Sequence, residues 1–217
     1  MKPLKMGAIP SKADPDVQQE FLKQKLEPQL EQAIAGLCAV YFIDASHFVL
    51  APFLGIVWCF ARLFIKAPSG RQRFNVLGAL NAITKDLTTV CNDTYITSDQ
   101  VCQLLGALRA KNVGLPITVV LDNARYQRCA MVEEHARLLS IDLLFLPSYS
   151  PNLNLIERFW KYVKKDCLYS KYYPTFTEFK QAISNCIEQA PIQHEKELHS
   201  LLTLRFQTFK NVVGVAA

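Results

Sequence analysis

The sequence is poor in the residues that build soft-metal and disulfide sites. It has only four histidines, and its seven cysteines are irregularly spaced, with no Cys-x-x-Cys pair among them. A zinc ribbon and a disulfide framework are therefore disfavoured, and we expect reduced, mostly buried thiols. The sequence also shows no internal repeat and no low-complexity tract, which argues against a solenoid or a disordered chain.

An apolar N-terminal stretch of the signal-peptide type is lacking too, so we expect a cytoplasmic location. Residues 48–65 form one long apolar run, but it contains Pro52, Gly55 and Arg62. An arginine near the centre of a membrane helix costs roughly 2.5–3.5 kcal/mol on insertion scales. We therefore interpret this run as a core strand followed by a buried loop, and we expect no membrane partner.

What is present is an ordinary globular composition. The chain has 217 residues, of which half are hydrophobic and a fifth are charged. This length allows one sizeable domain and leaves no room for a second of typical size. The net charge of +5 is compatible with a nucleic-acid partner but does not establish one.

Two regions are predicted. Residues 1–36 form a leader with an amphipathic helix that is capped by Asp14, kinked or split at Pro28 and ended by Gly36. The apolar stripe of this helix needs a partner, which is either the domain itself or a second subunit. Residues 37–217 form one α/β domain.

The order of predicted elements indicates a mixed sheet with helices on its faces. Three strands come first, and helices then alternate with strands, which is typical of an α/β fold. The predicted strands cover residues 37–43, 73–83, 87–96, 117–121 and 141–146, and the predicted helices cover residues 99–111, 127–139 and 153–166.

Two of these strands are each followed directly by an aspartate. Asp44 follows residues 37–43, and Asp122 follows residues 117–121. If the strands are neighbours, both carboxylates lie at the edge of the sheet where ligands bind, and a cation between them would relieve their repulsion. Oxygen ligands of this kind suit magnesium. The alternative is a simple turn role, which the Asp122-Asn123-Ala124 sequence fits equally well.

Glu157 is a candidate third acid, one turn into the predicted helix after Pro151. Its side chain would point back over the edge of the sheet. However, Asn154 and Glu157 also have the spacing of a capping box, in which the glutamate merely satisfies backbone amides. Spacing alone favours neither interpretation.

Three segments around these acids carry a resemblance to a known family. VYFIDASHF (40–48), TVVLDNARYQ (118–127) and LPSYSPNLNLIERFWKYVKK (146–165) resemble the catalytic blocks of bacterial insertion-sequence transposases of the mariner superfamily. Thirty-four residues separate Asp122 from Glu157, the spacing typical of that superfamily. The resemblance implies a ribonuclease-H-like fold, with a five-stranded mixed sheet in the order 3-2-1-4-5 flanked by helices.

The resemblance also implies a chemistry. Asp44, Asp122 and Glu157 would be catalytic and would hold two Mg²⁺ ions, for which Mn²⁺ can substitute. Such enzymes cleave the ends of a transposon and join them to target DNA, usually at TA dinucleotides. We therefore expect DNA as the partner, a homodimer, and a location in the bacterial cytoplasm.

The sequence departs from the family in two ways. Leu155 stands where the family usually has proline, and the N-terminal helix-turn-helix region of full-length members is missing. A separately encoded helix-turn-helix subunit would restore the recognition of transposon ends. The alternative function is a non-catalytic DNA-binding or dimerising remnant that regulates an intact transposase.

Supporting roles are predicted for neighbouring residues. Asn123 and Asn154 would support the acids, although a turn role suits Asn123 nearly as well. His47 has two interpretations, a contact with DNA or a metal-bound water, and simple packing, which we favour. Tyr149 and Trp160 could stack on a base, but core packing is favoured for Trp160. The predicted DNA contacts are Arg125, Arg128, Arg158, Lys161, Lys164 and Lys165.

Overall fold

Five strands form one mixed sheet in the order β3-β2-β1-β4-β5, as predicted. In the computed structural model, which describes residues 10–51, 60, 61, 64 and 72–208, β1 is antiparallel to β2 and parallel to β4. The strands are β1 (Ala39–Val49), β2 (Arg73–Asn81), β3 (Leu87–Asn92), β4 (Ile117–Leu121) and β5 (Ile141–Phe145). The predicted fold class, a ribonuclease-H-like α/β fold, is confirmed by this topology.

Helices cover both faces of the sheet. They are α1 (Pro15–Phe21), α2 (Glu27–Ile34), α3 (Ser98–Lys111), α4 (Ala130–Leu138), α5 (Ile156–Cys167), α6 (Phe176–Gln193) and α7 (Glu195–Leu201). α3 and α4 pack on one face, and the other helices contribute to a larger core on the opposite face. The centre of the sheet is therefore buried on both sides, which explains the apolar runs of β1, β2 and β4, whereas the edge strand β3 is only half-buried.

The N-terminal helix begins and bends where the sequence predicts. The Asp14 carboxylate caps it by accepting hydrogen bonds from the amides of Asp16 and Val17, at 3.0 and 3.2 Å. A π-helical turn at Leu22–Leu26 separates α1 from α2 just before Pro28, whose missing N–H cannot continue the regular pattern. The partner of the apolar stripe is the domain itself, because its buried members belong to the larger core, namely Phe21, Leu22, Leu26, Leu30 and Ala33.

Four of the five strands end at a different residue from the predicted one, and the difference is largest for β1 and β3. β1 does not end before Asp44 but runs to Val49, because β2 pairs with it as far as the Val49–Arg73 pair. β3 ends at Asn92 rather than at residue 96. The Asn92 side chain accepts a hydrogen bond from the Thr94 amide, at 3.2 Å, and this contact turns the chain out of the sheet.

The long apolar run at residues 48–65 is described only in part. Phe48 and Val49 belong to β1, which agrees with the predicted strand. Residues 52–59, 62, 63 and 65, which include most of the predicted buried loop, lie outside the described residues. Of the helices that the structure describes, none is both long enough and apolar enough to cross a membrane.

α6 and α7 were not predicted, although the sequence carries a signal for α6. Thr175 caps α6 by accepting a hydrogen bond from the Glu178 amide, at 3.2 Å. Phe179, Ile183 and Ile187 then follow at helical spacing and are buried against α5. These helices complete the core beneath the segment that carries Glu157.

Candidate active site

The three predicted acids line one cavity at an edge of the sheet. The cavity has a volume of about 360 Å³, and Asp44, Asp122 and Glu157 all face it. The segment from Leu146 to Pro151 forms the opposite wall. The fold therefore brings together side chains that lie more than a hundred residues apart in the sequence.

Asp44 and Asp122 are neighbours because two parallel strands set their positions. The last paired residues of β1 and β4 are Phe42 and Val120, and each aspartate lies two residues beyond its own member of that pair. Asp44 lies within β1, whereas Asp122 follows the end of β4. The two aspartates are neighbours, as predicted. Asp44 is not at the end of β1, and it lies next to Asp122 because the pairing between β1 and β4 stops two residues before each aspartate.

Asp122 combines a turn role with its place in the cavity. Its carboxylate accepts a hydrogen bond from the Ala124 amide at 2.8 Å, which leaves a second oxygen for a ligand. The Asn123 side chain donates to the Leu146 carbonyl at 2.7 Å and accepts from Arg128 at 2.8 Å. Asn123 therefore ties the segment after β4 to the segment after β5, and its support of Asp122 remains a prediction.

Glu157 is not part of a capping box. α5 begins at Ile156, and the residue that precedes it, Leu155, makes no side-chain cap. The Asn154 side chain instead donates to the carbonyl of Ile43 at 3.1 Å, next to Asp44 in β1. Asn154 thus joins the strand of one acid to the helix of another, and the Glu157 carboxylate is not used as a cap.

Burial and like charge act together on Asp44. Burial raises the pKa of Asp44 to about 7, and the negative charges of Glu157 and then Asp122 add to the increase. A hydrogen bond from the Ala45 backbone and the charge of Lys164 oppose this shift of the pKa. The cavity therefore holds more negative charge than its surroundings neutralise, a condition that favours a cation.

Tyr126 belongs to the same environment, although no sequence pattern pointed to it. Burial, followed by the charges of Asp44 and Asp122, raises the pKa of Tyr126 to about 12. Its hydroxyl accepts from the Gln127 side chain at 3.5 Å. The phenol is therefore a neutral O–H group near two carboxylates, and only the three-dimensional fold reveals that proximity.

The donor set fits a hard divalent cation. Three carboxylates line the cavity, and the Asn154 Oδ1 atom, which also lines it, is buried without a hydrogen-bond partner. Among the described residues, however, no three acidic, histidine or cysteine side chains lie close enough together to hold one metal ion. An ion in this cavity would therefore need waters as further ligands, which Mg²⁺ commonly retains.

Two of the predicted DNA contacts serve the protein itself. Arg158 donates to the carbonyls of Thr203 and Arg205, at 2.8 and 2.7 Å, and lies over the ring of Phe206, with its guanidinium carbon 5.7 Å from the ring centroid. Arg128 is bonded to Asn123 and lies over the ring of Phe145. The guanidinium groups of both residues thus have structural partners that the sequence did not reveal.

The four other basic residues differ in their surroundings. Lys161 is exposed and lines a second cavity, of about 250 Å³, that shares Glu157 with the first. Lys164 is half-buried, with its Nζ atom 5.9 Å from the ring centroid of Phe48. Arg125 and Lys165 are exposed. A contact with DNA remains a prediction for these four residues.

The three remaining candidates, two aromatic residues and a histidine, differ in their distance from the cavity. His47 lies on the opposite face of β1 from Asp44, and its Nδ1 atom is 2.7 Å from the Asn75 Oδ1 atom. Trp160 is only 1% exposed, so the favoured core interpretation is confirmed. Tyr149 is half-exposed and lines the cavity.

A mixed sheet in this strand order, with acids at one edge, is typical of ribonuclease-H-like catalytic domains. The model of one family, the DDE superfamily endonucleases, matches residues 39–180. The chain therefore belongs to the DDE superfamily endonucleases. No curated protein matches the chain significantly.

Solved structures of Mos1 mariner transposase share the fold. The catalytic domain of that transposase is 12% identical, with a TM-score of 0.54, and the match covers 93% of this chain and all of that domain. The paired-end complex with the left transposon end is 13% identical, with a TM-score of 0.59 and coverage of 94% and 68%. The paired-end complex with Mg is 14% identical, with a TM-score of 0.59 and the same coverage. This chain thus spans about two thirds of the length of the transposase in those complexes.

Proposed function

We propose that residues 37–217 are the catalytic domain of a bacterial DNA transposase that cleaves transposon ends and joins them to target DNA at TA sites. The observation that carries the proposal is the placement of Asp44, Asp122 and Glu157 around one cavity in a chain of the DDE superfamily. The Mos1 complexes contain transposon ends, which supports DNA as the partner. Action as a homodimer in the cytoplasm is part of the same proposal.

Asp44 and Asp122 would hold one divalent cation, and Asp44 and Glu157 would hold a second. Mg²⁺ suits carboxylate oxygens and retains several waters, and Mn²⁺ takes the same ligands. When bound, such ions supply charge that activates the attacking oxygen and stabilises the departing one. The Mg in one Mos1 complex supports this choice of cofactor.

The protein's own residues would organise the reacting strand. Asn154 and Asn123 fix the backbone next to the acids, so the carboxylates approach the strand from fixed directions. Lys161 lies in the adjoining cavity, where its ammonium group can contact a phosphate next to the one that is cleaved.

The test is metal-dependent cleavage and joining. The substrate is a labelled duplex from the flanks of the encoding gene. We expect Asp44→Asn, Asp122→Asn and Glu157→Gln each to reduce the rate by about 10³-fold or more, since each removes a cation ligand. Asp142→Asn is the matched control, because Asp142 is an exposed acid of β5 that does not line the cavity.

Folding of the variants is checked by their unfolding transitions, which should remain cooperative. A wild-type protein that binds the duplex but shows no Mg²⁺- or Mn²⁺-dependent cleavage would reject the proposal. That outcome would favour the non-catalytic remnant.

A further inference from the structure

One buried amide joins the N-terminal helix to the loop before α5. Gln18, in α1, is only 1% exposed. Its Nε2 atom donates to the Ser150 hydroxyl at 3.0 Å and to the Asn152 side chain at 3.4 Å, and its Oε1 atom accepts from the Asn152 amide at 3.1 Å. Gln18 therefore uses both ends of its amide on residues more than 130 positions away.

Other contacts also hold the loop, among them the hydrogen bond from the Leu153 amide to the Ser150 carbonyl at 3.1 Å. Tyr149 has a φ of 57°, a left-handed conformation that an aromatic residue rarely adopts and that surrounding contacts must maintain. Ser150, the next residue, is where Gln18 attaches, and its own hydroxyl donates to the Ser148 carbonyl at 3.2 Å. Asn152 also donates to the carbonyl of Gln207, at 2.8 Å. Segments from near both ends of the described chain thus hold the loop in place.

This loop forms a wall of the cavity and leads directly into the helix of Glu157. Tyr149 and Ser150 line the cavity, and the short 3₁₀ turn Pro151–Leu153 connects them to α5. A loop that relaxes would therefore change the cavity wall and the start of the helix that carries the third acid. α1 itself has a separate anchor, because Phe21 is buried in the larger core.

We propose that Gln18 is a positioning residue, which holds the loop so that Glu157 and the cavity wall keep the geometry needed for cleavage. The inference rests on the proposed function only where it is tested by cleavage. The hydrogen-exchange test does not depend on that function. Removal of one partner from a buried hydrogen-bonded set leaves the others unsatisfied, so loss of the Gln18 amide acts on Ser150 and Asn152 together.

The experiment compares Gln18→Ala with Gln24→Ala, which removes an exposed glutamine from the turn that follows α1. In the cleavage assay we expect Gln18→Ala to lower kcat about tenfold, to raise the Mg²⁺ concentration for half-maximal rate, and to leave KM for DNA unchanged. A merely structural role would lower the amount of folded protein without changing the metal dependence. Gln24→Ala should match the wild type in all three quantities.

Hydrogen exchange supplies a readout that does not need activity. Backbone amides of residues 147–155 should exchange at least tenfold faster in Gln18→Ala than in the wild type, while those of β1 and β4 remain protected. Asn152→Ala removes the same contact from the loop side. The double variant should be no slower in cleavage than the more affected single variant.

Unchanged loop exchange together with an unchanged kcat in Gln18→Ala would overturn the inference, as would additive effects in the double variant. If Gln18→Ala does not fold, Asn152→Ala alone decides, by the same two measurements. If the wild type does not cleave, the proposed function fails separately, and the exchange rates of the loop still support or overturn the role of Gln18.

Discussion

The three acids of the cavity are held in two different ways. Asp44 and Asp122 are fixed by the backbone pairing of β1 with β4, at the centre of the sheet. Glu157 lies on a helix whose entry loop depends on single side chains, chiefly Gln18 and Asn154. Backbone pairing survives most side-chain changes, whereas a side-chain contact is lost with one substitution. The aspartates are therefore the robust part of the site and the glutamate is the sensitive part.

The largest effect that separates the two parts is expected from Asp44→Asn. In the protein without metal this variant should be more stable than the wild type by ~4 kcal/mol at pH 8. The reason is that the folded pKa of Asp44, about 7, lies above its ordinary value. The folded state thus retains a proton that the unfolded chain has released, and wild-type stability falls as the pH rises from about 4 to 7.

Urea unfolding at pH 5 and pH 8 measures this difference, which should shrink at the lower pH. Mg²⁺ should stabilise the wild type more than the variant, since the ion binds only to the folded state. Equal stability of the two proteins at both pH values would show that the pKa of Asp44 is not raised in the folded state.

A smaller effect is expected where the sheet meets α5. Gly78 lies opposite Asp44 in β2, and a Cβ atom there would be only 2.8 Å from the Cζ2 atom of Trp160. Gly78→Ala should therefore cost ~1–3 kcal/mol by overpacking, as measured by urea unfolding. It should also slow cleavage, because displacement of Trp160 shifts the helix of Glu157.

Gly106→Ala provides the matched control for this variant. A Cβ atom at Gly106, in α3, meets no atom within 4 Å, so the helix should gain up to ~1 kcal/mol. If the two alanine variants have the same stability, close packing of α5 against the sheet does not constrain the site.

The smallest effect should come from Arg158→Ala. The loss of its bonds to the carbonyls of Thr203 and Arg205 should cost about 1–2 kcal/mol and release residues 201–206 to faster hydrogen exchange. The salt dependence of DNA binding should stay unchanged, since these donors are used within the protein. A salt slope smaller by about one would instead identify a phosphate contact. Lys23→Ala, at an exposed position outside the predicted DNA contacts, is the control for a pure charge change.

The buried strands and the two aspartates could be predicted because short apolar runs indicate such strands directly. The order of the strands in the sheet was implied by the resemblance to the mariner superfamily, not by these runs. β4 matches its predicted range, residues 117–121, without change. The length of β1 could not be predicted, because it depends on how far β2 pairs with it, and the residues that follow Asp44 alternate without an end signal. Local pattern thus determines where a buried strand begins more reliably than where it stops.

Glu157 illustrates the limit of sequence spacing. A cap and a ligand have the same three-residue separation from Asn154, and only the contact between Asn154 and the Ile43 carbonyl distinguishes them. The contacts of Gln18 with the loop are similarly long-range and polar, and they leave no periodic pattern in the sequence. The resemblance to the mariner superfamily could point to Glu157, but it contained nothing about Gln18.

The one-sided pairing of the outer half of β1 has an evolutionary consequence. Beyond Phe42, β1 pairs with β2 alone, so the hairpin of these two strands can grow or shrink at its far end while Asp44 stays opposite Gly78. β4 has no such freedom, because a one-residue insertion within it would reverse the side chains that follow and turn Asp122 away from the cavity. Among homologous chains, length variation should accumulate at the far end of the β1–β2 hairpin, and β4 should keep its length.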